Sequence, residues 1–427
     1  MSQLHITSLT GREILDSRGN PTLEARVTLS DGTTAKASVP SGASTGAFEA
    51  REKRDGDPAR YSGKGVLITA RTLETECLPA LASLDPLDQA GIDQALCDLD
   101  GTPNKQRLGA NVTLAVSAAV ARAAAHAQGL ALWQTMGGSP VLPVPMMNIL
   151  NGGAHAANNL DVQECMILPV GAPSFAEAVR WGSEIYHALA ALLRREGLST
   201  GVGDEGGFAP DLDGTDMALH YLVQAISLAG YRPGEDVMLG MDAAASGWKT
   251  DQPGEYRLPK AGTKYTSAQL THHWATLAQQ FPLLSLEDGL DEEDWAGWQH
   301  QTQILGNQLQ LVGDDLFVTH TDRLEKGIQS GCGNAILIKP NQIGTLTETA
   351  QAVRMAQKAG YGVILSHRSG ETDDPLIADL AVALGAGQIK TGAPCRSERC
   401  AKYNRLMEIE AALQGRAVYP GRNAFPV

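Results

Sequence analysis

Beyond residue 138 the sequence alternates between short apolar runs and longer segments with the periodicity of helices. Most of the runs end in a charged or polar side chain. The runs are residues 165–169, 201–205, 237–242, 283–288, 309–315, 335–339, 362–368 and 387–390. Short apolar runs of this kind are typical of strands buried on both faces of a parallel sheet. Eight such strands separated by helices predict an α/β fold of the (β/α)8 barrel type.

One run, residues 335–338, leads directly into Lys339 and Pro340. Pro340 has no N–H to donate, so the strand should end there, with Lys339 at its carboxyl end. An ammonium group at the edge of an apolar core either reaches solvent or pairs with an acid. Taken alone, the run favours a lysine that reaches solvent.

The first 138 residues have a different pattern. Residues 22–29 alternate between apolar and polar, Asp31 and Gly32 form a turn signal, and the alternation resumes at Thr33. Residues 63–129 are helical in character and rich in small side chains. We therefore expect an N-terminal α+β domain, residues 1–138, with a three-stranded meander covered by helices. The barrel should occupy residues 139–427, because proline and glycine crowd the segment between the two patterns.

Composition excludes some classes of partner. The net charge of −14 argues against nucleic acid and anionic membranes. No apolar run is long enough to span a membrane, and six scattered cysteines suggest neither a disulfide framework nor a thiolate metal site. The first residues lack the features of a secretory leader, so we expect a cytoplasmic protein.

In a barrel of this type, functional groups lie at the carboxyl ends of the strands. The residues expected there are Glu205, Asp242, Glu287, Asp314, Lys339, His367 and Lys390. Three of them, Asp242, Glu287 and Asp314, are acids on successive strands. Converging carboxylates repel one another unless a cation neutralises them, and oxygen ligands favour Mg²⁺. Each acid taken singly could instead have a structural role.

The following strand ends carry cations. Lys339, His367, Arg368 and Lys390 could form a cradle for an anionic substrate, with the hydroxyl of Ser369 beside them. Any one of these cations alone could be a solvated charge at the rim. Near a divalent cation, Lys339 should have a lowered pKa and could act as a general base.

The remaining candidates lie in or next to loops. Glu205 is flanked by glycines and could protonate a leaving hydroxide, with Gln163 and Glu164 beside it to share that proton. The alternative for Glu164 is a structural acid before a strand. Ser44 lies in a small, polar segment that could bring its hydroxyl to a metal or phosphate. His155 lies in a second glycine-rich loop that could close over a substrate, although such a histidine is often only solvated.

Seven motifs in order give the chain a resemblance to the enolases of bacteria along essentially its whole length. They are residues 16–22, 40–46, 203–207, 285–288, 313–316, 337–346 and 366–372. The resemblance implies reversible dehydration of 2-phosphoglycerate to phosphoenolpyruvate. It also implies Lys339 as proton acceptor, Glu205 as proton donor and Glu164 as its support.

The resemblance assigns the other positions as well. Asp242, Glu287 and Asp314 match the ligands of a first Mg²⁺, and Ser44 matches a ligand of a second. The positions that match substrate contacts are His155, Gln163, Glu164, Lys339, His367, Arg368, Ser369 and Lys390. Enolases are homodimers or octamers, and some also occur at the cell surface or are secreted.

Comparison with enolases shows two differences, one from the barrel that the spacing suggests and one in the sequence itself. Enolase barrels are irregular, with an antiparallel second strand, whereas the spacing alone suggests an all-parallel barrel. Gly247 stands where such enolases usually have glutamate. Two rival functions stay open: an enolase-like enzyme acting on a phosphonate or another α-carboxylate acid, and a non-catalytic surface scaffold.

Overall fold

The computed structural model describes residues 4–42 and 48–427, so Ser44 lies outside the described residues. The N-terminal part contains an antiparallel sheet in the order β1–β2–β3, which confirms the predicted meander. The strands are β1 (Ile6–Leu15), β2 (Pro21–Leu29) and β3 (Thr34–Ser38). The helices are α1 (Leu67–Thr72), α2 (Leu78–Leu81), α3 (Gln89–Asp100), α4 (Ala110–Ala127) and α5 (Leu132–Thr135), with a π-helical segment at Leu73–Cys77 joining α1 to α2.

One face of this sheet packs against α4. Leu23, Ala25 and Val27 alternate along β2 and are completely buried. The facing helix is rich in alanine and valine, and its small side chains let it lie close to the strands. The alternating apolar side chains of β2 therefore form one buried face, as the period of two in a strand requires.

The second part of the described chain contains eight strands that close into a barrel. This part has ten described strands, of which eight form the barrel: β4 (Val144–Asn151), β5 (Glu164–Leu168), β6 (Met238–Asp242), β7 (Glu255–Arg257), β8 (Lys264–Thr266), β9 (Leu283–Glu287), β10 (Gln310–Gly313), β11 (Ala335–Ile338), β12 (Gly362–Ser366) and β13 (Gly387–Lys390). β7 and β8 form a separate hairpin, and the barrel order is β4–β5–β6–β9–β10–β11–β12–β13.

The barrel is irregular, as the resemblance implied. β5 is antiparallel to both β4 and β6, and the other neighbouring pairs are parallel. The all-parallel expectation is therefore wrong. The chain between β4 and β5 forms no α-helix that could carry it back along the barrel, so it turns and returns beside the strand it has just left.

One predicted strand is also wrong. Residues 201–205 form a loop in which Val202 makes only an isolated bridge with Phe208. The eighth strand is instead Val144–Asn151, in the segment where prolines suggested a domain boundary. Glu205 therefore reaches the barrel from a loop and not from the end of a strand.

Helices surround the barrel, and apolar side chains fill it. The helices are α6 (Phe175–Arg195), α7 (Thr215–Leu228), α8 (Ser267–Gln280), α9 (Trp295–Leu305), α10 (Thr321–Ser330), α11 (Pro340–Ile343), α12 (Leu346–Lys358), α13 (Leu376–Ala383) and α14 (Ser397–Ala412). Inside, Met146, Met166, Leu284 and Leu337 belong to one fully buried cluster. No helix among the described residues is both long and apolar enough to cross a membrane.

Candidate active site

A cavity at the carboxyl ends of the parallel strands brings most of the predicted residues together. It is lined by Glu49, His155, Gln163, Glu164, Glu205, Asp242, Ala244, Asp288, Asp314, Asp315, Lys339, Ser366, His367, Arg368, Ser369 and Lys390. Side chains that are distant in the sequence thus share one small space. The cavity is not a rim of isolated charges facing solvent, because most of these residues are buried and the others are half-buried.

Lys390, at the end of β13, is surrounded by carboxylates. Its Nζ lies 2.8 and 2.9 Å from the two oxygens of Glu287 and 3.2 Å from Oδ2 of Asp242. Oε2 of Glu164 lies 3.1 Å away. Burial opposes the charge of Lys390, but Asp242, Glu164 and Glu287 hold its pKa well above the usual range. Lys390 therefore contacts two of the predicted metal ligands directly.

Lys339 follows β11, and its half-buried side chain lies against Asp314. Its Nζ donates a short hydrogen bond to Oδ2 of Asp314, whose other oxygen accepts one from Gln342 at 3.2 Å. Burial acts to lower the pKa of Lys339, but the Asp314 carboxylate raises it overall. The expectation of a lowered pKa concerned a lysine beside a divalent cation, so it stays a prediction. The ion pair with Asp314 is the alternative in which Lys339 pairs with an acid and does not simply reach solvent.

Asp288 supports this edge of the cavity from behind. Its carboxylate oxygens accept hydrogen bonds from the backbone N–H groups of Asp314, at 3.0 Å, and Asp315, at 2.9 Å. The residue has φ = 42°, in the left-handed region that non-glycine residues seldom adopt. This local conformation places the carboxylate under the turn that carries the two following acids.

Carboxylates outnumber cations here. Seven acidic side chains line the cavity, against three lysine or arginine side chains. Burial, together with neighbouring carboxylates, raises the pKa of Glu287 and Asp288 well above their usual ranges and that of Asp315 to about 7. An additional cation would relieve this imbalance, and the donors are oxygen atoms, which suits a hard ion such as Mg²⁺.

Two groups of described side chains lie close enough to share a metal ion. One is Asp288, Asp314 and Asp315, and the other is His155, Glu164 and Glu205. Asp314 is the predicted ligand that belongs to such a group, whereas Asp242 and Glu287 hold the ammonium of Lys390 between them. A metal bound by all three predicted acids requires Lys390 and Lys339 to give up some of these contacts.

Glu164 and Glu205 form a second acidic pair, next to two histidines. Nδ1 of His155 lies 3.6 Å from Glu164 and 3.7 Å from Glu205, and Nε2 of His367 lies 3.3 Å from Glu205. Burial and the nearby Glu205 carboxylate raise the pKa of Glu164 well above its usual range. Burial works in the same direction on Glu205, but the facing His367 and His155 hold its pKa well below that range. The pair is therefore arranged to keep one proton, on Glu164.

The structure also includes residues that the sequence did not single out. Glu49 pairs with Arg368 at 3.0 Å, Asn148 donates to Glu205 at 3.0 Å, and Arg399 contacts His367 at 2.6 Å. Gln342, which donates to Asp314, lies inside the motif of residues 337–346, so the sequence could have identified it as a site residue. The other three are single polar residues on a loop, a strand and a helix, and no local pattern marks them.

A second cavity of about 570 Å³ adjoins the first, and Gln163, Ala244 and Asp315 line both. Gly247 lies in its wall, and a Cβ atom at this position would have no neighbour within 4 Å. The glycine therefore leaves open a space that a larger side chain would partly occupy.

Both parts of the chain match known protein families. Residues 6–136 match the family described as Enolase, N-terminal domain. Residues 139–426 match the family described as Enolase, C-terminal TIM barrel domain. These matches follow the two structural parts and include all of the cavity's described residues. The chain therefore belongs to the enolase family.

Proposed function

We propose that this protein is a phosphopyruvate hydratase of the bacterial kind, which reversibly dehydrates 2-phosphoglycerate to phosphoenolpyruvate. Membership of the enolase family supports a metal-dependent lyase acting on a small molecule. The observation that carries the narrower proposal is the pairing of two proton-handling groups in one cavity. Lys339 lies beside Asp314, while Glu164 and Glu205 lie beside His155 and His367.

In this proposal Lys339 takes the proton from C2 of the substrate. The electron pair of that C–H bond forms the C2–C3 double bond, and the C3 hydroxide leaves. Glu205, with Glu164 as the proton reservoir, protonates the departing hydroxide, which is released as water. Removal of such a weakly acidic proton requires a neutral amine at Lys339, so its ion pair with Asp314 has to be weakened when the substrate is bound.

Other residues would hold the substrate. Lys390 and Arg368 are buried cations that can neutralise a carboxylate and a phosphate, and Ser369 adds a hydroxyl. Gln163 donates to Asp242 at 3.2 Å and so lies at the edge of the same pocket. His155 borders both acids of the proton-donating pair. These contacts suit a ligand with two negative groups close together.

The residues also suit the metal that the family uses. Asp242, Glu287 and Asp314 would hold the first Mg²⁺, and Ser44, outside the described residues, would contribute to a second. Bound there, Mg²⁺ would supply positive charge that stabilises the charge developing on the substrate carboxylate. We further propose a cytoplasmic homodimer, or an octamer built from dimers.

A spectrophotometric assay tests the proposal. The purified protein should convert 2-phosphoglycerate to phosphoenolpyruvate, seen as a rise in ultraviolet absorbance, when Mg²⁺ is present. EDTA should stop the reaction and renewed Mg²⁺ should restore it. A well-folded protein that turns over neither this substrate nor its analogues would contradict the proposal and favour the scaffold function.

The cavity beside Gly247 favours a second candidate function. An enolase-like enzyme acting on a phosphonate, or on an α-carboxylate acid with an additional substituent, would need space next to the reaction centre. The same assay, run with a phosphonate analogue and with a C3-substituted substrate, distinguishes the candidates. Faster turnover of either compound than of 2-phosphoglycerate would favour the second function.

A further inference from the structure

Arg399, on the first turn of α14, is completely buried behind the candidate site. Its Nη1 lies 2.6 Å from both Nδ1 of His367 and the carbonyl oxygen of Arg368. Its Nη2 donates to the carbonyl oxygens of Ser369, at 2.8 Å, and Asp204, at 3.2 Å. The guanidinium therefore joins the loop that carries His367 to the loop that carries Glu205.

The contact with His367 determines which ring nitrogen carries the proton. A guanidinium only donates hydrogen bonds, so Nδ1 of His367 must accept from Arg399. A doubly protonated ring would place two N–H groups against each other. The ring is therefore neutral, its proton is on Nε2, and this nitrogen lies 3.3 Å from Oε2 of Glu205.

We propose that Arg399 is a positioning residue that keeps His367 neutral, with its single ring proton on Nε2, the nitrogen that lies 3.3 Å from Oε2 of Glu205. By favouring the ionised form of Glu205, this arrangement keeps the acid proton of the pair on Glu164. The first statement depends only on geometry, and the second rests on the proposed function.

The charged groups around His367 agree with this assignment. Glu205 faces it from the loop after α6, Arg399 from α14, and Glu371 from its own loop. Glu371 is occupied elsewhere, because one of its oxygens accepts from Lys402 at 2.8 Å and the other from the backbone N–H of Arg368 at 3.1 Å. Burial lowers the pKa of His367 to about 4, with Glu205 opposing and Arg399 assisting. The ring should therefore stay neutral between pH 6 and pH 8.

Nuclear magnetic resonance of the full chain with ¹⁵N-labelled histidine tests the geometric statement without any substrate. The His367 signals can be assigned by comparison with His367→Gln. We expect a proton on Nε2, none on Nδ1, and no titration between pH 6 and pH 8. A proton on Nδ1, or titration within that range, would overturn the proposal even if the protein proved to be an active hydratase.

Two substitutions of Arg399 test its proposed effect on the Glu164–Glu205 pair. Arg399→Gln removes the obligatory donor, so His367 should titrate between pH 5 and pH 8. Dehydration should fall about 10- to 100-fold, whereas exchange of the C2 proton with solvent should stay within about threefold of the wild type. Arg399→Lys keeps a donor and should restore most of the dehydration rate and the neutral ring.

The control is Arg405→Lys, on the same helix, where the arginine pairs with Asp379 at 2.8 Å. Arg405→Lys should change neither the rate of dehydration nor the rate of C2 proton exchange. If Arg399→Gln lowers exchange and dehydration equally, Arg399 is merely structural and the proposal is wrong. If Arg399→Gln does not fold, the wild-type spectra and Arg399→Lys still decide the outcome.

Discussion

The ammonium group of Lys390 lies 2.8 and 2.9 Å from the two carboxylate oxygens of Glu287, and both side chains are buried. Their strands, β13 and β9, are four positions apart in a barrel of eight, so the contact crosses the mouth of the barrel. Such a pair stabilises the closed barrel only while both charges remain matched, because each alone would be a costly buried ion.

Replacing Lys390 with methionine should therefore destabilise the protein by about 3–5 kcal/mol, since Glu287, Asp242 and Glu164 lose their shared counter-ion. Mg²⁺ should recover much of this loss by neutralising the same carboxylates. Urea denaturation with and without Mg²⁺ measures both effects. Lys402→Met is the matched control, because Lys402 is also buried but pairs with Glu371, away from these acids. If Mg²⁺ stabilised both variants equally, the metal would bind elsewhere.

Lys339→Ala should abolish exchange of the C2 proton of 2-phosphoglycerate with solvent, because Lys339 is the proposed base. Binding of Mg²⁺ should persist, since Asp314 is freed from its ion pair. Proton exchange can be followed by magnetic resonance and metal binding by calorimetry. Lys358→Ala, at an exposed lysine on α12, should leave both unchanged. Continued exchange in Lys339→Ala would show that another group is the base.

Gly247→Glu should be tolerated, because a Cβ atom there meets nothing within 4 Å. We expect a change in stability within about 0.5 kcal/mol, as for most exposed positions. Turnover of a C3-substituted substrate should fall more than that of 2-phosphoglycerate, because the glutamate would add bulk and negative charge to the lining of the adjoining cavity. Gly182→Ala gives the contrast, since its Cβ would clash with Met147 and the protein should lose stability. If Gly247→Glu affected the turnover of both substrates equally, the cavity would have no role in substrate specificity.

Asp374 joins the barrel to the N-terminal domain through a short ion pair with Arg122 on α4. Burial acts to raise the pKa of Asp374, but Arg122 lowers it below its ordinary value. A lowered folded-state pKa contributes stability above the unfolded pKa, and this stability is lost as pH falls through the folded one. Asp374→Asn should therefore cost about 3–5 kcal/mol at pH 7, with a smaller difference from the wild type below about pH 4.

Urea denaturation of Asp374→Asn and of the wild type across pH 3–7 measures that difference. Glu184→Gln, in an exposed pair with Arg180, should have a much smaller effect at every pH. A cost that stayed constant down to pH 3 would show that the ionisation of Asp374 does not contribute.

The barrel could be predicted because its apolar runs are local and strongly patterned. Ala335–Ile338, for example, is completely buried, as its four apolar residues indicated. The prediction failed where local signals conflicted with long-range pairing. The strand Val144–Asn151 was not predicted, because its segment is rich in proline; it pairs with β13, which lies near the end of the sequence. Residues 201–205 have the pattern of a strand, but Val202 forms only an isolated bridge with Phe208.

The sequence by itself determined the two-part architecture and seven of the eight barrel strands, with the types of side chain that stand at their ends, because these follow from local hydrophobic periodicity. Only the tertiary structure decided which charges meet. It paired Lys339 with Asp314, placed Lys390 among three acids, and put Arg399 behind His367. These contacts join residues 25 to 226 positions apart. Barrel closure, which no local pattern records, fixes their distances and therefore their protonation.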